Sequence, residues 1–376
     1  MRINYISNLK ITEQTGGWDG INYCIYNELI KYAKVNLCEG INPKANLFEH
    51  AISKLLRVSG VKGNFFFFSK KRLNEIASSV KKIIDEVADL DFYFGVTPWI
   101  HYTPQRPYGA YLDASFKTYL DIYSQPSKFS EGDITRICKE EETWLSKAKW
   151  VFWGSNWALR EASMQYGFDP LDKKHLVINT GGNVPVPAAF KKRRDGIRLL
   201  FISLNFEKKG GFVCFDAFKL LQKEFSEIEL NIIGQRPPEE IMTCSGVNYV
   251  GLLNKKDPEQ LNELIGHFES ATFLVHPTKM DTMGAVIVEA GYYGTPSIAP
   301  RLFGIPDLIV DGNTGYLIDD VKPEVIAQLI SRAIGDKGRY QEMRDSCYKF
   351  YTNNFSWKAI GNKMINHLKE AFKKVG

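Results

Sequence analysis

The chain alternates short apolar runs with segments in which apolar residues recur every third or fourth position, a pattern typical of α/β domains with parallel sheets. In the first half, Ile21, Ile25 and Leu29 form such a helical stripe after an initial short run rich in β-forming residues. A further helix is predicted to begin after Ser155 and to end at Gly167. The strands predicted in this half are residues 2–6, 92–96, 150–153 and 175–179.

The alternation starts again after residues 183–196, which contain two prolines and four consecutive basic residues and are predicted to be a linker. Strands are predicted at 198–203, 228–233, 248–251, 272–275 and 297–299, and helices at about 210–224, 258–268, 284–293, 323–334, 338–350 and 356–373. The chain is therefore predicted to form two parallel-sheet domains that face each other, with boundaries at 1–190 and 191–355.

The composition agrees with a folded protein of two or three domains. The 376 residues are 44% hydrophobic and 24% charged, and the net charge is 48 − 43 = +5. This mildly basic balance does not require nucleic acid as a partner, but it suits an anionic ligand or an acidic membrane surface. Six cysteines without a CxxC pair argue against a zinc cluster and a disulfide framework, and favour a reducing compartment.

The amino terminus, MRINYISNLK, has no apolar signal-peptide core, and no apolar run approaches 18 residues. We therefore expect a cytoplasmic protein without membrane-spanning segments. A dinucleotide oxidoreductase is excluded at this stage, because residues 7–20 lack the G-x-G-x-x-G pattern after the first strand.

The strongest chemical signal lies at residues 276–318. Asp281 is predicted in a loop after a buried strand, and Met283 and Gly284 open a helix whose first N–H groups can hold phosphate oxygens. Glu289 lies eight residues beyond Asp281, within that helix, and Gly294 ends it. His276, just before this segment's loop, is predicted to be a packing or rim residue.

This segment resembles the carboxy-terminal signature of family four of the retaining glycosyltransferases, which have the GT-B fold. Its pattern is Glu-x7-Glu, then Ala, a Gly-x-Pro turn and Asp-Gly-x-x-Gly. The corresponding residues here are Asp281, Glu289-Ala290, residues 294–296 (GTP) and residues 311–315 (DGNTG). Aspartate replaces the first glutamate, which shortens that side chain by one methylene.

A second match to the family is the segment FEKKGG at 206–211. The resemblance implies that Lys209 and Lys208 neutralise the diphosphate of the donor, with lysine at 208 where arginine is common. Looser matches are the glycine pair Gly16-Gly17, Gly234 at the end of a strand, and Leu253 near the base. The implied donor-binding residues are Gly16, Gly17, Lys208, Lys209, Gly234, Leu253, Asp281, Met283, Gly284, Ala285, Val286 and Glu289.

Glu289 has apolar neighbours on its predicted helix, so its carboxylate needs a partner, and a ribose diol is a suitable one. In many relatives a histidine of the amino-terminal domain points toward the reacting sugar. The similar segment here, GAYLDAS, offers Asp113 instead, and His101 in WIHYTP is the nearest histidine. The candidate catalytic residues are Asp113, His101, Lys209 and Asp281, and the choice between the first two stays open.

Residues 89–91 spell Asp-x-Asp, the metal motif of the other glycosyltransferase fold, but they lie between a predicted helix and a strand. We interpret them as structural, and no grouping of His, Cys, Asp and Glu has metal-ligand spacing. The resemblance implies that no metal or other cofactor is needed. It also implies that the helix in 356–376 packs back onto the first domain.

The resemblance implies a metal-independent retaining hexosyltransferase that moves a sugar from a nucleotide-sugar donor to a glycan or lipid-linked acceptor, as in polysaccharide biosynthesis. The alternative is a catalytically idle relative that binds a glycan or a nucleotide, or acts as a scaffold. Nucleic acid is not an expected partner. Contact with an anionic membrane, on its inner face, is an open option through the basic carboxy-terminal helix.

Overall fold

The structure is a computed structural model that describes residues 1–11, 16–45, 47–191 and 195–373. Parts of three predicted segments lie outside the described residues: 12–15 of the loop after the first strand, 192–194 of the linker, and 374–376 of the carboxy-terminal segment.

The chain forms two compact units. The first contains Met1–Thr12, Asn22–Asn179 and Gly361–Gly376, and the second contains Glu13–Ile21 and Thr180–Ile360. The main divisions thus lie at 179/180 and 360/361, whereas the sequence pattern predicts them at 190/191 and 355/356. The segment Glu13–Ile21, predicted in the first domain, groups with the second unit. Residues 182 and 183 group with the second unit because their N–H groups donate to Tyr292 and Glu289 of that unit, at 2.9 Å each.

The first unit is built on a six-stranded parallel sheet in the order β2-β1-β3-β4-β5-β6. Its strands are β1 (Arg2–Ile6), β2 (Lys34–Cys38), β3 (Leu90–Phe94), β4 (Tyr108–Leu112), β5 (Trp150–Trp153) and β6 (His175–Val177). The helices of this part of the chain are α1 (Gly17–Leu29), α2 (Leu47–Val58), α3 (Lys70–Ile83), α4 (Phe116–Tyr123), α5 (Glu131–Lys147) and α6 (Asn156–Tyr166).

The second unit has a six-stranded parallel sheet in the order β12-β11-β10-β7-β8-β9. Its strands are β7 (Arg198–Ser203), β8 (Glu229–Gly234), β9 (Val247–Gly251), β10 (Phe273–Val275), β11 (Ser297–Pro300) and β12 (Gly315–Ile318). The helices are α7 (Gly211–Gln222), α8 (Glu239–Met242), α9 (Pro258–Ser270), α10 (Ala285–Tyr292), α11 (Pro323–Gly335), α12 (Lys337–Asn354) and α13 (Trp357–Lys373), the last of which continues into the first unit.

Inner strands of both sheets are buried along their whole length, as expected where helices cover both faces of a parallel sheet. All residues of β3, β4 and β5 are buried, and so are those of β10 and β11. These strands are runs of aromatic and branched apolar residues, which is why the sequence predicts several of them correctly. The α/β class with two parallel sheets is confirmed.

The part of α13 in the first unit buries its apolar face there. Met364, Ile365 and Leu368 are buried, and the His367 ring lies 5.6 Å from that of Phe152 in β5. The hydroxyl of Tyr32 donates to Asn362 at 2.8 Å. The carboxy-terminal helix therefore lies against the elements of the first unit.

Candidate functional site

Two loops of the second unit emerge side by side, because β7 and β10 are neighbours in a parallel sheet and their carboxyl ends meet at one edge. The first loop leads from Ser203 to Gly210, and the second follows β10. Gly210 has a φ of +82°, and a Cβ there would lie 2.2 Å from the carbonyl oxygen of Pro277. Only glycine therefore allows the two loops to approach this closely.

Lys209 and Asp281 form an ion pair where these loops meet. The Lys209 Nζ lies 2.7 Å from Asp281 Oδ2 and donates also to the carbonyl oxygen of Met280 at 2.6 Å. Burial by itself would raise the pKa of Asp281. The hydrogen bond from His276 and the positive charge of Lys209 outweigh it and hold that pKa well below its usual value. Asp281 is therefore ionised at neutral pH.

The other carboxylate oxygen of Asp281 serves the start of α10. Oδ1 accepts from the backbone N–H of Gly284 at 2.8 Å and from that of Met283 at 3.3 Å. A short aspartate side chain readily bonds to N–H groups two and three residues ahead of it. The replacement of glutamate by aspartate at this position thus coincides with a fixed turn before the helix.

His276 belongs to the same cluster. It is 2% exposed, and its Nε2 lies 3.1 Å from Asp281 Oδ2. The sequence predicts a packing or rim residue here, and the structure adds a hydrogen bond to a predicted site residue. The signal available in the sequence was its position directly after a buried strand, five residues before Asp281.

Glu289 lies within α10 and is 4% exposed. Its Oε1 accepts from the Lys255 ammonium at 2.6 Å and from the Asn183 backbone N–H at 2.9 Å. In the described residues, both hydrogen bonds that Glu289 accepts end on this one oxygen. Lys255 follows β9 and was not identified from the sequence.

Asn183 connects Glu289 with the glycine pair near the amino terminus. Besides its backbone bond to Glu289, its side-chain Nδ2 donates to the carbonyl oxygen of Gly17 at 3.4 Å. Gly17 begins α1 with a φ of +63°, and Gly16 directly precedes it. All of these residues belong to the second unit, so the predicted donor-binding glycines and the predicted ribose-binding carboxylate are close together.

The remaining predicted donor-binding residues lie around the same sheet edge. Gly234 ends β8, and its carbonyl oxygen accepts from the Tyr249 hydroxyl at 3.1 Å. Leu253 is half-buried in the loop after β9, and Lys208 is exposed beside Lys209. Met283 is buried, Gly284 caps α10 with a φ of +68°, and Ala285 and Val286 form the first turn of that helix.

The two candidate catalytic residues of the first unit have different surroundings. Asp113 directly follows β4 and is half-buried. His101 is held between two helices, since its Nδ1 lies 2.6 Å from Asn74 of α3 and its Nε2 lies 3.2 Å from Glu140 of α5. Their assignment as catalytic residues stays a prediction.

The Asp-x-Asp segment has structural partners. Asp89 accepts from the Arg2 backbone N–H at 2.7 Å, and Asp91, buried in β3, accepts from Asn4 at 2.7 Å. Among the residues that the structure describes, no three His, Cys, Asp or Glu side chains are grouped in a way that could hold a metal ion. The described helices also include none that is long and apolar enough to cross a bilayer.

Residues 187–350 match the sequence model of the family described as "Glycosyl transferases group 1". The D-inositol 3-phosphate glycosyltransferase of Corynebacterium diphtheriae is 32% identical over 108 residues, which are 29% of this chain and 25% of that protein. An uncharacterized 41.2 kDa protein in the cps region of Klebsiella pneumoniae is 26% identical over 176 residues, 46% of each chain. The chain thus spans about a quarter of the corynebacterial relative.

Two solved structures resemble the whole chain. Alr3699/HepE of Anabaena, determined in complex with UDP, has a TM-score of 0.68 at 16% identity, covering 98% of this chain and 100% of that one. Sucrose-phosphate synthase of Thermosynechococcus elongatus has a TM-score of 0.68 at 14% identity, covering 99% of both chains. These likenesses confirm the predicted GT-B fold, and with the family match they confirm the resemblance to GT-B glycosyltransferases.

Proposed function

We propose that the chain is a retaining glycosyltransferase that moves a sugar from a nucleotide-sugar donor to a glycan or glycolipid acceptor. The observation that carries the proposal is the Lys209–Asp281 pair at the start of α10, with Glu289 buried in the same helix. Helix α10 and the two loops beside its start thus offer a cation, backbone N–H groups and a carboxylate, which suit a diphosphate and a ribose. The family match over residues 187–350 supports this interpretation.

The nucleoside part of the donor would be held by Glu289. Its Oε1 already accepts two hydrogen bonds, and its Oε2 accepts none from the described residues. An ionised carboxylate oxygen can accept from a vicinal diol, and bonds to a charged acceptor are stronger than neutral ones. Lys255 would fix the orientation of the carboxylate from the protein side.

The diphosphate would lie against Lys209, Lys208 and the first turn of α10. The first N–H groups of a helix lack acceptors within the helix, and its dipole favours negative charge there. Charge grows on the leaving diphosphate as the glycosidic bond breaks, so a cation fixed by Asp281 stabilises the transition state more than the bound donor.

Asp281 is proposed to face the transferred sugar. Its two oxygens accept from Lys209, His276 and two backbone N–H groups, so a sugar hydroxyl would have to replace one of these donors. The longest contact, 3.3 Å to the Met283 N–H, is the weakest. The same residue therefore organises the loop and offers one exchangeable position.

The acceptor would react on the face of the sugar that the diphosphate leaves, with a leaving phosphate oxygen taking the acceptor proton. This route gives retention and needs no strong general base. Either Asp113 or His101 could assist by contacting the reacting sugar. No metal is required in this proposal, because lysines and helix N–H groups neutralise the diphosphate.

The proposal also places the protein in a reducing compartment with access to the inner face of a membrane, since no disulfide joins any of the six cysteines in the described residues. A glycan or lipid-linked acceptor is the expected second substrate.

The test is incubation with UDP-, GDP- and ADP-sugars, beginning with UDP-sugars because one solved neighbour, Alr3699/HepE, was determined with UDP and with UDP-glucose. We expect release of nucleoside diphosphate and its loss in Lys209→Ala. Binding of a nucleotide without release in the presence of a panel of glycan and lipid acceptors would favour the idle relative instead.

A further inference from the structure

Helix α2 exposes nearly all of its apolar residues. Leu47, Phe48, Leu55 and Val58 are 82%, 72%, 70% and 78% exposed. Positions 47, 51, 55 and 58 follow helical spacing, and position 48 lies beside position 55 around the helix axis. Leu47, Phe48, Leu55 and Val58 therefore share one face. Single exposed leucines are ordinary on protein surfaces, but a contiguous apolar row marks an interaction surface.

The opposite face of α2 attaches the helix to the first unit. The buried Ser53 donates from its hydroxyl to the carbonyl oxygen of Asn64 at 2.7 Å. The Arg57 guanidinium lies 5.5 Å from the centre of the Phe129 ring, and the His50 ring lies 4.5 Å from that of Phe66. The outward direction of the apolar face is therefore fixed by these contacts.

The segment of the sequence that contains α2 is strongly basic. Residues 44–71 contain six basic residues and one acidic residue, so their net charge of 6 − 1 = +5 equals that of the whole chain. The rest of the chain is therefore neutral in sum. Lys54 of α2 and Lys70 and Lys71 at the start of α3 are exposed.

We propose that the apolar face of α2, with Lys54, Lys70 and Lys71, docks on an anionic lipid bilayer. The helix is Leu47–Val58, 12 residues, which is about 18 Å and too short to span a membrane. It would lie in the plane of the interface, with its apolar residues among the acyl chains and its lysines at the anionic headgroups. This locates the membrane contact included in the proposed function, but it does not depend on sugar transfer.

The charge distinguishes a bilayer from other occupants. A second copy of the chain would bring one +5 segment against another, and like charges oppose such an interface. A soluble glycan would not need a row of Leu, Phe and Val. The basic helix α13 is a weaker candidate, because Ile360, Met364 and Leu368 on its apolar side are already buried.

The experiment is co-sedimentation of the protein with phosphatidylcholine vesicles and with mixed phosphatidylcholine–phosphatidylglycerol vesicles. We expect binding to the mixed vesicles only, weakening as salt is added. The triple variant Phe48→Ser, Leu55→Ser, Val58→Ser should lose roughly tenfold or more in partitioning. Lys54→Gln, Lys70→Gln, Lys71→Gln together should reduce binding and its salt dependence.

The matched control is Val87→Ser, Met164→Ser, Leu171→Ser, three exposed apolar residues of the same unit. It should bind vesicles like the unmodified protein. Circular dichroism and the thermal midpoint show whether each variant is folded. The proposal would be overturned by equal binding to both vesicle types or by retained binding in a folded α2 variant. It would also be overturned if binding were lost instead in Lys363→Gln with Lys369→Gln of α13, or if the protein formed a dimer that the α2 variant abolishes.

Discussion

At the scale of single residues, the adjacent lysines 208 and 209 have separable roles. Lys209 is held by Asp281 and Met280, whereas within the described ranges Lys208 bonds to Asn205 and Lys279 through its backbone. We predict that Lys209→Ala lowers kcat by about two to three orders of magnitude, as for a lost electrostatic stabiliser. Lys208→Ala is the control in the same loop and should cost less. Steady-state kinetics with the preferred donor decide, and a Lys209→Ala enzyme with normal turnover removes this residue from the site.

The two carboxylates of α10 and its preceding loop should fail in different ways. Glu289→Gln keeps the shape of the side chain but loses the charge that a ribose diol would bind. It should therefore raise KM for the donor, by a factor that corresponds to a loss of about 1.5–3 kcal/mol of binding free energy at most. Asp281→Asn should lower turnover and leave the affinity for free nucleoside diphosphate nearly unchanged.

Calorimetric titration of both variants with the free nucleoside diphosphate separates these roles. Asp281→Glu is a useful companion, because it restores the length common in the family and could change the preferred sugar. Loss of nucleotide affinity in Asp281→Asn, together with normal affinity in Glu289→Gln, would show that the two assignments are reversed.

The sequence predicted Lys209, Asp281 and Glu289 because each lies in a motif with local spacing. It did not predict Lys255, which is 34 positions from Glu289, because only the tertiary fold brings a loop after β9 to helix α10. The position of His276 after a strand was noted, but its hydrogen bond to Asp281 was not predicted, because nothing in the sequence indicates the partner of a histidine after a strand. Ion pairs that close across the fold are therefore the part of the site that sequence patterns miss.

At the scale of elements, contacts between residues that are distant in the sequence also explain which strands and helices were missed. Strands β1, β5 and β7 are rich in aromatic and branched apolar residues and were predicted with their observed bounds. Strand β4 was missed because it contains Gly109, where a Cβ would lie 2.2 Å from the carbonyl oxygen of Trp150. Close approach of neighbouring strands requires this glycine, yet glycine lowers the apparent tendency to form a strand.

Helix α5 was missed for a related reason. Its buried face contains Glu141, which interrupts the apolar stripe of Ile137 and Leu145. The carboxylate is satisfied by the Tyr166 hydroxyl, the Thr97 hydroxyl and the Phe116 N–H, at 2.7 Å each. Burial raises the pKa of Glu141, against these hydrogen bonds. A polar residue that is buried with tertiary partners thus breaks the apolar periodicity by which a helix is recognised in the sequence.

Strand β6 contains a buried histidine that should make stability depend on pH. The Trp153 indole N–H donates to His175 Nδ1 at 3.1 Å, so the ring is neutral with its proton on Nε2. Burial, and secondarily the charge of Lys174, lowers the pKa of His175 to about 4, although Asp172 and Asp169 oppose this. Between about pH 4 and 6.5 the unfolded chain then binds more protons than the folded one.

Stability should therefore fall as the pH decreases through that window, by at most about 3 kcal/mol from this residue. His175→Gln keeps an acceptor for Trp153 and cannot be protonated, so it should flatten the dependence. Urea unfolding at several pH values measures this, with pH 7.5 as the reference where both proteins are neutral at the site. An unchanged slope in His175→Gln would contradict the assignment.

At the scale of the whole molecule, each unit is a parallel sheet whose loops gather at the carboxyl edges of the strands. In the second unit this edge brings together residues from positions 17 to 289, which no local motif spans. The fold class followed from alternation of strands and helices, and the proposed reaction rests on motifs placed on that alternation. The stereochemistry of the reaction and its metal requirement can be measured only on the intact protein.

We predict that the intact enzyme transfers its sugar with retention and without a divalent metal. Lys209 and Lys208 supply positive charge where a metal would otherwise balance the diphosphate, and the first turn of α10 adds N–H donors. Turnover should be unaffected by EDTA, and the anomeric coupling of the product in proton NMR should match that of the donor sugar.

The two parts of this prediction fail separately. Activity that EDTA abolishes and Mn²⁺ restores would mean that the lysines do not suffice for the leaving diphosphate. An inverted anomeric centre would require an acceptor activated by a base on the opposite face of the sugar. In that case, loss of turnover in Asp113→Asn but not in the control variant His101→Gln would assign the base to Asp113, which directly follows β4. The Lys209–Asp281 pair would then retain only its role in binding the diphosphate.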